Sequence, residues 1–484
     1  MALDRMLRIT RRELIRLGLV LCSGLMLDVL TDCVPPGTPS VQPSARPSPT
    51  PQASVLPPPD DLPWPEANAI VAATTVPTFP DRFIVVTQAP YSARPDGLAD
   101  STQAFRHAIE VCSLGGGGHV IVPSGVYSLG AVHLLDGVDL HLDQGATLMF
   151  SGNVADYPLV LTRYGGIECM NHSPMIYAYG QTNIAVTGEG VLDASNTRSW
   201  NVGADVAQVL EPMVSAGLPP EERIVPNHGS LRSSFVEPYR CTNVLIQGVT
   251  LQQSQFWQLH PTLCKNVTVD SVTTGNTRNF NTDSCNPDCC DHVVIKNCSF
   301  DGDDDSIAIK SGRDDDGRRV NTPCQNIVIY RCRVQGRGGG IACGSDMTGG
   351  VRNVYAYDMQ TVGRSTVNML SIKSNTRRGG YVKNINLHTI RADRLSGPWL
   401  SARMNYEDQT GNFPPVFADW TISNVSGDSD PMVLNLNGLP GDEIRYVVFE
   451  NATFTNIGSQ QNVYHDAADP IFLNVTINGR TVSS

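Results

Sequence analysis

The sequence predicts an all-β fold: a single-stranded, right-handed parallel β-helix closed at its N-terminal end by a short helix. A short strand headed by asparagine recurs along the chain at intervals of 23 to 34 residues, which suits the coils of a solenoid. Helix signals are scarce. Only 17% of the residues are charged and 43 are glycine, which suits an all-β body better than a helical one.

Residues 1–33 have the pattern of an export signal. Arg11 and Arg12 precede an apolar run at residues 17–27, which is too short to span a bilayer comfortably. The paired arginines resemble the twin-arginine signal, by which bacteria export folded proteins. We therefore expect an exported protein, extracellular or at the cell surface.

The alternative for this segment is an anchor helix that is never removed, since no clean small-residue cleavage site follows it. Cys22 or Cys33 could also carry a lipid, although neither lies in a convincing lipidation motif. Any membrane contact is therefore expected only through the N-terminus.

Residues 34–65 are dominated by proline, serine, threonine and glutamine. Such a segment cannot bury enough apolar surface to offset its chain entropy, so it is predicted to be a disordered linker. The folded body is then expected to span residues 66–484.

The best helix signal lies at residues 101–111, where apolar residues recur with amphipathic spacing. A solenoid must cover its first coil, because an open end presents unpaired strand edges. This segment is therefore predicted to be the N-terminal cap.

The recurring strands share a head residue followed by alternating apolar positions, with a turn signal in front. In a parallel β-helix, such an asparagine stacks on its counterpart one coil away and ties the turn. The head residues are Asn183, Asn243, Asn266, His292, Asn326, Asn353 and Asn384.

Two other repetitive β architectures fit the spacing less well. A β-propeller needs four antiparallel strands per blade, roughly 40 to 50 residues, which is longer than the repeat observed here. A β-sandwich would not reuse an asparagine at the head of each strand at these intervals.

The net charge of −12 argues against a nucleic-acid partner, because phosphate binding depends on an excess of Lys and Arg. An acidic protein that binds a polyanion must place positive charge locally in its cleft. The sequence has no phosphate-cradling loop, zinc spacing or cofactor motif, so we expect no cofactor and no metal. A monomer is expected.

Eleven of the thirteen cysteines lie in the body, an odd number spread over a long chain. This does not imply a full disulfide framework. We expect ordinary buried thiols and one bridge; Cys285, Cys289 and Cys290 could instead form a local bridge or bind a metal.

The densest polar chemistry lies between residues 281 and 310, where Asp283 is followed by Asp304 and Asp305. The separation of Asp283 and Asp305 is about one coil, and adjacent coils lie roughly 4.8 Å apart. The three carboxylates should therefore share one face of the solenoid.

Crowded carboxylates repel one another, which raises at least one pKa. A protonated acid beside ionised neighbours is what glycosidic hydrolysis needs. The pattern alone leaves two alternatives open, a calcium site and a plain solvated turn. A second run, Asp314 to Asp316, is interpreted as a solvated loop.

Several blocks in this region resemble the polygalacturonases, glycoside hydrolase family 28. The likeness covers roughly residues 83–460 and implies a pectin-lyase-like β-helix and an enzyme that hydrolyses pectin. The blocks are FDGDDDSIAIKSG at 300–312, GSDMTGGVRNV at 344–354 and IKSNTRRGGYVKNI at 372–385, with weaker likeness at 156–180 and 256–261.

The resemblance implies that Asp304 is the general acid and that Asp283 and Asp305 hold the attacking water. The family inverts configuration, so its acid and base are separated by about 6.5 to 9.5 Å. Lys373 corresponds to the lysine that faces the substrate carboxylate. The residues expected to bind substrate are Asn281, Lys373, Arg337 and Arg377.

Two residues of the family pattern are missing. The Gly-His-Gly block is replaced by glycines around Arg337 at residues 336–340, and the Arg-Ile-Lys block reads Ser371-Ile372-Lys373. The histidine normally supports the catalytic acid. The arginine grips a carboxylate as a planar fork, which serine cannot imitate.

Three explanations remain open. An arginine from another loop replaces the lost cation and preserves a polygalacturonase, which then acts from chain ends or within chains. Alternatively, the subsite accepts a neutral sugar, as in rhamnogalacturonan hydrolases, or the protein binds pectin with little turnover. The arginines considered are Arg337, Arg364, Arg377 and Arg378.

Overall fold

The fold is described from a computed structural model. It covers residues 62–200, 206–225, 232–275, 277, 279–363 and 366–482. The predicted export signal and the linker up to residue 61 lie outside the described residues, and their assignments stay predictions.

The described residues contain four α-helices, and none of them is long and apolar enough to cross a membrane. They are α1 (Pro65–Ala73), α2 (Thr102–Leu114), α3 (Val206–Ser215) and α4 (Asp314–Val320).

Strands dominate the chain, and most are short. Those of the N-terminal half are β1 (Phe83–Val85), β2 (Asp96–Asp100), β3 (Gly118–Val122), β4 (Gly125–Leu129), β5 (Val132–His133), β6 (Val138–Leu142), β7 (Ala146–Phe150), β8 (Leu159–Tyr164), β9 (Ile167–His172), β10 (Ile176–Tyr179), β11 (Thr182–Gly188), β12 (Val191–Asp193), β13 (Val236–Tyr239), β14 (Thr242–Gln247), β15 (Thr250–Gln252), β16 (Lys265–Asp270) and β17 (Thr273–Gly275).

The C-terminal half continues the same pattern, with longer strands toward its end. Its strands are β18 (Asp291–Lys296), β19 (Ser299–Phe300), β20 (Ile307–Ile309), β21 (Cys324–Tyr330), β22 (Arg333–Val334), β23 (Gly339–Gly344), β24 (Val351–Thr361), β25 (Asn368–Lys373), β26 (Tyr381–Asp393), β27 (Leu400–Arg403), β28 (Val416–Ser423), β29 (Ser426–Asp428), β30 (Leu434–Asn437), β31 (Arg445–Thr455), β32 (Val463–His465), β33 (Ile471–Ile477) and β34 (Arg480–Val482).

Strand pairing arranges these segments as a parallel β-helix with three faces, which confirms the predicted right-handed solenoid. The first face contains β1, β3, β6, β11, β14, β16, β18, β21, β24, β26, β28, β31 and β33. The second contains β2, β4, β7, β12, β15, β17, β19, β22 and β29, together with the C-terminal parts of β24, β26 and β31. The third contains β5, β10, β13, β20, β23, β25, β27, β30 and β32, with single bridges joining β13 to β20.

The predicted asparagine ladder ties the entry to the first face. Every head residue has a positive φ, a conformation that asparagine tolerates better than most residues. The Asn243 amide donates to Asn183 at 2.8 Å, and the ladder resumes where Asn353 donates to Asn326 at 2.9 Å. At the coil of His292, Asp291 accepts from Asn326 instead, at 2.7 Å.

Helix α2 caps the N-terminal end, as predicted. It buries Phe105, Ala108, Ile109 and Cys112 against the first coils. Its apolar stripe replaces the coil that would otherwise precede β1 and β3. At the other end, β34 pairs antiparallel with β33.

Apolar side chains from all three faces fill the interior of the solenoid. The eleven cysteines between residues 112 and 343 are all free and buried. The expected bridge is therefore wrong: these thiols fill the core as small apolar groups.

Helix α1 was not predicted, because proline surrounds it. Leu62, Ala67 and Ile70 pack against Val294 and Val328 on the outer surface of the first face. The ordered body thus already includes residues 62–65, a few residues before the predicted boundary at residue 66.

Candidate active site

A cleft of about 600 Å³ lies over the third face. Loops that precede the third-face strands line one side of it, and loops that follow those strands line the other. The lining residues are Tyr164, Gly165, Arg232, Phe256, Trp257, Phe280, Asn281, Asp283, Asp304, Asp305, Lys310, Arg313, Gly344, Ser345, Asp346, Lys373, Tyr406, Glu407 and Gln409.

The three predicted aspartates meet in this cleft. The backbone N–H of Ser284 donates to the carbonyl oxygen of Asp305 at 3.1 Å, so Asp283 and Asp305 occupy equivalent positions on consecutive coils. Asp304 is the next residue along the chain and lines the same space. The predicted one-coil separation is therefore what brings these carboxylates together.

Asp305 is held in its ionised form. Its Oδ2 accepts a hydrogen bond from the Lys373 ammonium at 2.9 Å, and its Oδ1 accepts from the Gly339 N–H at 2.5 Å. Burial alone would raise the pKa of Asp305, but the ammonium groups of Lys373 and Lys310 and this N–H bring it below its usual value.

Asp283 is 2% exposed, and its Oδ2 lies 3.4 Å from the Lys310 ammonium. Asn286 donates to the same oxygen at 3.0 Å, whereas Oδ1 has no hydrogen-bond partner among the described residues. Burial raises the pKa of Asp283 to about 7; Lys310 opposes this shift and the other two carboxylates add to it. The Lys310 ammonium itself lies 4.5 Å from the centre of the Trp257 ring.

Asp304 is the most accessible of the three carboxyl groups. Its Oδ2 accepts a hydrogen bond from the Asn281 amide at 3.2 Å. Burial raises the pKa of Asp304, and the charge of Asp305 raises it further. Two adjacent residues thus have opposite pKa shifts, which separates an acid from a base.

Arg232 lines the cleft beside Asn281 and is 4% exposed. Its guanidinium donates to the Asn281 side-chain oxygen at 3.2 Å and to the Phe280 carbonyl at 3.1 Å. The rings of Phe256 and Phe280 lie 4.9 and 4.6 Å from its central carbon. Among the described residues, no carboxylate forms an ion pair with this buried charge.

The glycine block at residues 336–340 packs directly against the aspartates. A Cβ atom on Gly336 would lie 2.3 Å from the Asp304 carbonyl oxygen, and one on Gly338 would lie 2.3 Å from the Asp305 Oδ1. Arg337, between them, pairs with Asp303 at 3.1 Å and is 72% exposed. The side chain in the position of the family's histidine therefore points to solvent.

The structure does not bring Arg337 or Arg377 to the cleft lining. Arg377 forms ion pairs with Glu211 and, at 3.1 Å, with Asp314. Both guanidinium groups are thus occupied by carboxylates of this chain, and their role in substrate binding stays a prediction without support from their position.

Of the other arginines considered as replacements, Arg378 is fully buried and pairs with Glu407 at 3.0 Å. Arg364 lies outside the described residues. Asn281 and Lys373, by contrast, lie in the cleft as predicted.

An apolar wall covers the coil on the N-terminal side of the aspartates. It consists of the hairpin β8–β9 and helix α3, both inserted between the second and third faces, together with Val225 and the segment Phe256–Trp257 that follows β15. The Gly166 carbonyl at the hairpin tip accepts from the Arg313 N–H at 2.9 Å, which joins the wall to the loop after β20. Its buried residues are Tyr164, Ile167, Cys169, Leu210, Val225, Phe256 and Trp257.

Buried ion pairs fix this wall to the solenoid. Arg163 contacts Asp288 at 2.7 Å, and Arg223 contacts Asp316 at 2.6 Å. Asp314 is also buried and belongs to α4. The interpretation of residues 314–316 as a solvated loop is therefore wrong: they begin α4, and arginines neutralise the two buried carboxylates, Arg223 that of Asp316 and Arg377 that of Asp314.

Sequence reasoning missed Lys310 and Arg232. Lys310 directly follows β20 and Lys373 ends β25, each directly after an isoleucine, and this repeated lysine at the end of a third-face strand is a signal that could have been used. Arg232 carries no comparable signal, because it follows a long insertion.

The ammonium groups of Lys310 and Lys373 lie beside Asp283 and Asp305, where a metal cation would have to bind. In the part of the chain described here, no group of three or more His, Cys, Asp or Glu side chains is arranged to hold a metal ion. The calcium alternative therefore gains no support from the geometry.

The sequence matches the family model of the glycosyl hydrolases family 28 over residues 222–464. This range contains the aspartates, both cleft lysines and Arg232.

Individual relatives cover more of the chain. An exopolygalacturonase structure from Thermotoga maritima is 33% identical, with a TM-score of 0.81 over 86% of this chain and 96% of that one. An exo-poly-alpha-D-galacturonosidase of Dickeya chrysanthemi is 25% identical over 86% of this chain and 78% of its own. A probable polygalacturonase of Vitis vinifera is 27% identical over 74% and 72%.

Proposed function

The chain belongs to the glycosyl hydrolases of family 28, and on this basis we propose that it hydrolyses the α-1,4-galacturonosyl linkages of polygalacturonate, the backbone of pectin. The observation that carries the proposal is a cleft in which three carboxylates with separated pKa values lie beside cationic side chains. A pair of carboxyl groups can catalyse hydrolysis of a glycosidic bond as acid and base, and cations attract an acidic polymer.

In the proposed mechanism, Asp304 is the general acid. It donates its proton to the glycosidic oxygen as the bond from that oxygen to the anomeric carbon breaks. Asp305, aided by Asp283, accepts a proton from a water molecule whose oxygen bonds to the opposite face of the anomeric carbon. The anomeric configuration of the released product is inverted. The raised pKa of Asp304 and the lowered pKa of Asp305 support this division of roles.

The position of Arg232 favours a galacturonate, rather than a neutral sugar, in the part of the cleft next to the wall. A buried guanidinium without a carboxylate partner is costly, and a substrate carboxylate would offset that cost. Lys310 and Lys373 offset the charge of two cleft carboxylates, Asp283 and Asp305, which lessens repulsion of an acidic polymer. This pattern argues against the rhamnogalacturonan alternative, in which a neutral sugar occupies alternate positions.

We also propose that the enzyme acts from chain ends. In this proposal the apolar wall blocks the cleft on the N-terminal side of the aspartates, where Phe256 and Trp257 lie one coil before Asp283, and its buried ion pairs oppose opening. Two of the three relatives compared above are named as exo-acting enzymes. A polymer would enter from the C-terminal side and lose short units from its end.

The decisive experiment follows products released from polygalacturonate and from rhamnogalacturonan. We expect mono- or digalacturonate from the first minutes with polygalacturonate, with little loss of viscosity. Early release of mixed oligomers would refute end-wise action, and release only from rhamnogalacturonan would refute the substrate.

The matched control is Asp304→Asn, which should lower kcat by about 10²- to 10⁴-fold, the usual contribution of general acid catalysis. Calorimetry should show that this variant still binds oligogalacturonate. Retained hydrolysis would remove Asp304 from the mechanism. Binding by the native chain without any product would favour the alternative of a pectin-binding protein.

We further propose that the protein is exported through its N-terminal segment by the twin-arginine route. That route carries folded proteins, and the eleven free, buried cysteines of the body support folding before export, because no disulfide has to form outside the cell. Replacing Arg11 and Arg12 together by lysine should retain the protein in the cytoplasm, as measured by fractionation.

A further inference from the structure

The cleft lacks the arginine expected two residues before Lys373, because that position is Ser371. From the pairing of the third-face strands we propose that Arg403, one coil further along, binds the carboxylate of a galacturonate on the open side of the cleft. This inference rests on the proposed function, since it requires a substrate with a carboxylate on neighbouring sugars.

The register of the third face aligns Arg403 with Lys373. Strands β25 and β27 pair in parallel, with Ser371 opposite Ser401 and Lys373 opposite Arg403. Arg403 is exposed whereas Ala402 beside it is buried, so its side chain leaves the outer surface of the third face. The two cations thus occupy one column at the spacing of adjacent coils, about 4.8 Å.

Tyr406, which lines the cleft, connects the two cations. The Lys373 ammonium lies 5.8 Å from the centre of its ring, and the central carbon of Arg403 lies 5.0 Å from the same point. The stacked ring restrains the long arginine side chain near the cleft and leaves its N–H groups free to meet a carboxylate.

The charge of Arg403 is not neutralised within the described part of the chain. Two other cations near the cleft come after the aspartates in the chain, and each forms an ion pair: Lys373 with Asp305, and Arg377 with Glu211. For Arg403, no carboxylate of the described residues lies within ion-pair distance. A guanidinium in this state can bind a substrate carboxylate as a two-pronged fork.

The position of Arg403 determines which substrates should depend on it. With the wall blocking the opposite end of the cleft, as proposed above, Arg403 lies where the uncut remainder of the polymer would rest. The contact should strengthen the binding of long substrates without taking part in the bond cleavage.

The test compares Arg403→Gln with the native chain on oligogalacturonates of increasing length. We expect KM for long oligomers to rise about 10- to 100-fold, the range for a lost hydrogen bond to a charged group, while kcat changes by less than about 2-fold. The shortest cleaved oligomer should be affected least, and methyl esterification should remove the difference between the two proteins.

Two further variants sharpen the comparison. Arg403→Lys keeps the charge without the fork and should recover part of the affinity. Arg352→Gln removes an exposed arginine on the first face and should leave KM unchanged. Thermal unfolding should confirm that each variant is folded.

An unchanged KM in Arg403→Gln, or a loss of kcat alone, would overturn the inference while leaving the proposed function intact. Failure of the native chain to cleave polygalacturonate would refute the proposed function. In that case, calorimetric titration of the native chain and Arg403→Gln with trigalacturonate decides the inference: about 10-fold weaker binding by the variant supports it, and equal or absent binding overturns it.

Discussion

Asp304 and Asp305 are identical in chemistry and adjacent in the chain, yet their environments shift their pKa values in opposite directions. Asp305 is buried against Lys373 and the Gly339 N–H, whereas Asp304 is reached by solvent and hydrogen-bonded by the neutral amide of Asn281. The catalytic assignment therefore depends on which side chain the ammonium group contacts.

Replacing Lys373 should move the acid limb of the pH profile. In Lys373→Gln the pKa of Asp305 rises, because its main counter-charge is lost. Since Asp305 must be ionised to act as base, the rise of kcat/KM with pH should shift to higher pH. The alkaline limb, where Asp304 loses its proton, should move less.

The Lys373→Arg variant provides the control, because it keeps the charge. It should keep the acid limb near its native position even if KM changes. An acid limb that stays in place in Lys373→Gln would show that ionisation of Asp305 does not set that limb and would point to Asp283, whose pKa is about 7.

Gly338 has a steric role beside the same carboxylate. In Gly338→Ala the new methyl group would meet the Asp305 carboxylate and its backbone nitrogen, so the side chain must move. A displacement of about 1 Å in a catalytic group can cost about 10²-fold, and we expect a loss of kcat of that order.

Gly340→Ala is the matched control, because its methyl group meets mainly the flexible side chain of Met369. It should reduce kcat by less than about 5-fold. Equal losses in the two variants would mean that general strain around residues 338–340, and not contact with Asp305, lowers activity.

The asparagine ladder acts at the scale of the coil. Asn353 combines a φ of 56° with two side-chain hydrogen bonds of 2.9 Å, one to Asn326 and one from Asn384. The ladder lies at the entry to the first face, away from the cleft. It should contribute to stability and not to catalysis.

We expect Asn353→Ala to lower the free energy of unfolding by about 2–4 kcal/mol, from two hydrogen bonds and the strained φ. Asn353→Gly tolerates the positive φ and should cost about half as much. Denaturant unfolding measures both. Equal losses would assign the effect to the hydrogen bonds alone, and a fall in kcat of the folded variants would contradict a purely structural role.

At the scale of the whole molecule, the described body holds its coils together without disulfides. Eleven buried thiols lie within it, and burial raises the pKa of several of them, among them Cys343 to about 12. Thiols in this state react slowly, because the thiolate is the reactive form.

A thiol reagent should therefore label at most two of the thirteen cysteines of the folded protein, Cys22 and Cys33, and all thirteen after denaturation. Addition of dithiothreitol should leave Tm within about 1 °C. Rapid labelling of more than two thiols, or a fall of several degrees in Tm, would show that a disulfide or an exposed thiol exists in the body.

The sequence by itself determined the parallel coils, the asparagine ladder, the N-terminal cap and the meeting of Asp283 with Asp304 and Asp305. These features repeat with each coil or depend on a separation of one coil, so local patterns specify them. Only the tertiary structure identified Arg232 and Lys310 as cations of the cleft, aligned Arg403 with Lys373 one coil further along, and placed Arg337 and Arg377 outside the cleft lining. The physical reason is that loop lengths differ from coil to coil, so separation along the chain does not determine which side chains lie side by side on neighbouring coils. The register decides which charged groups are close enough to interact.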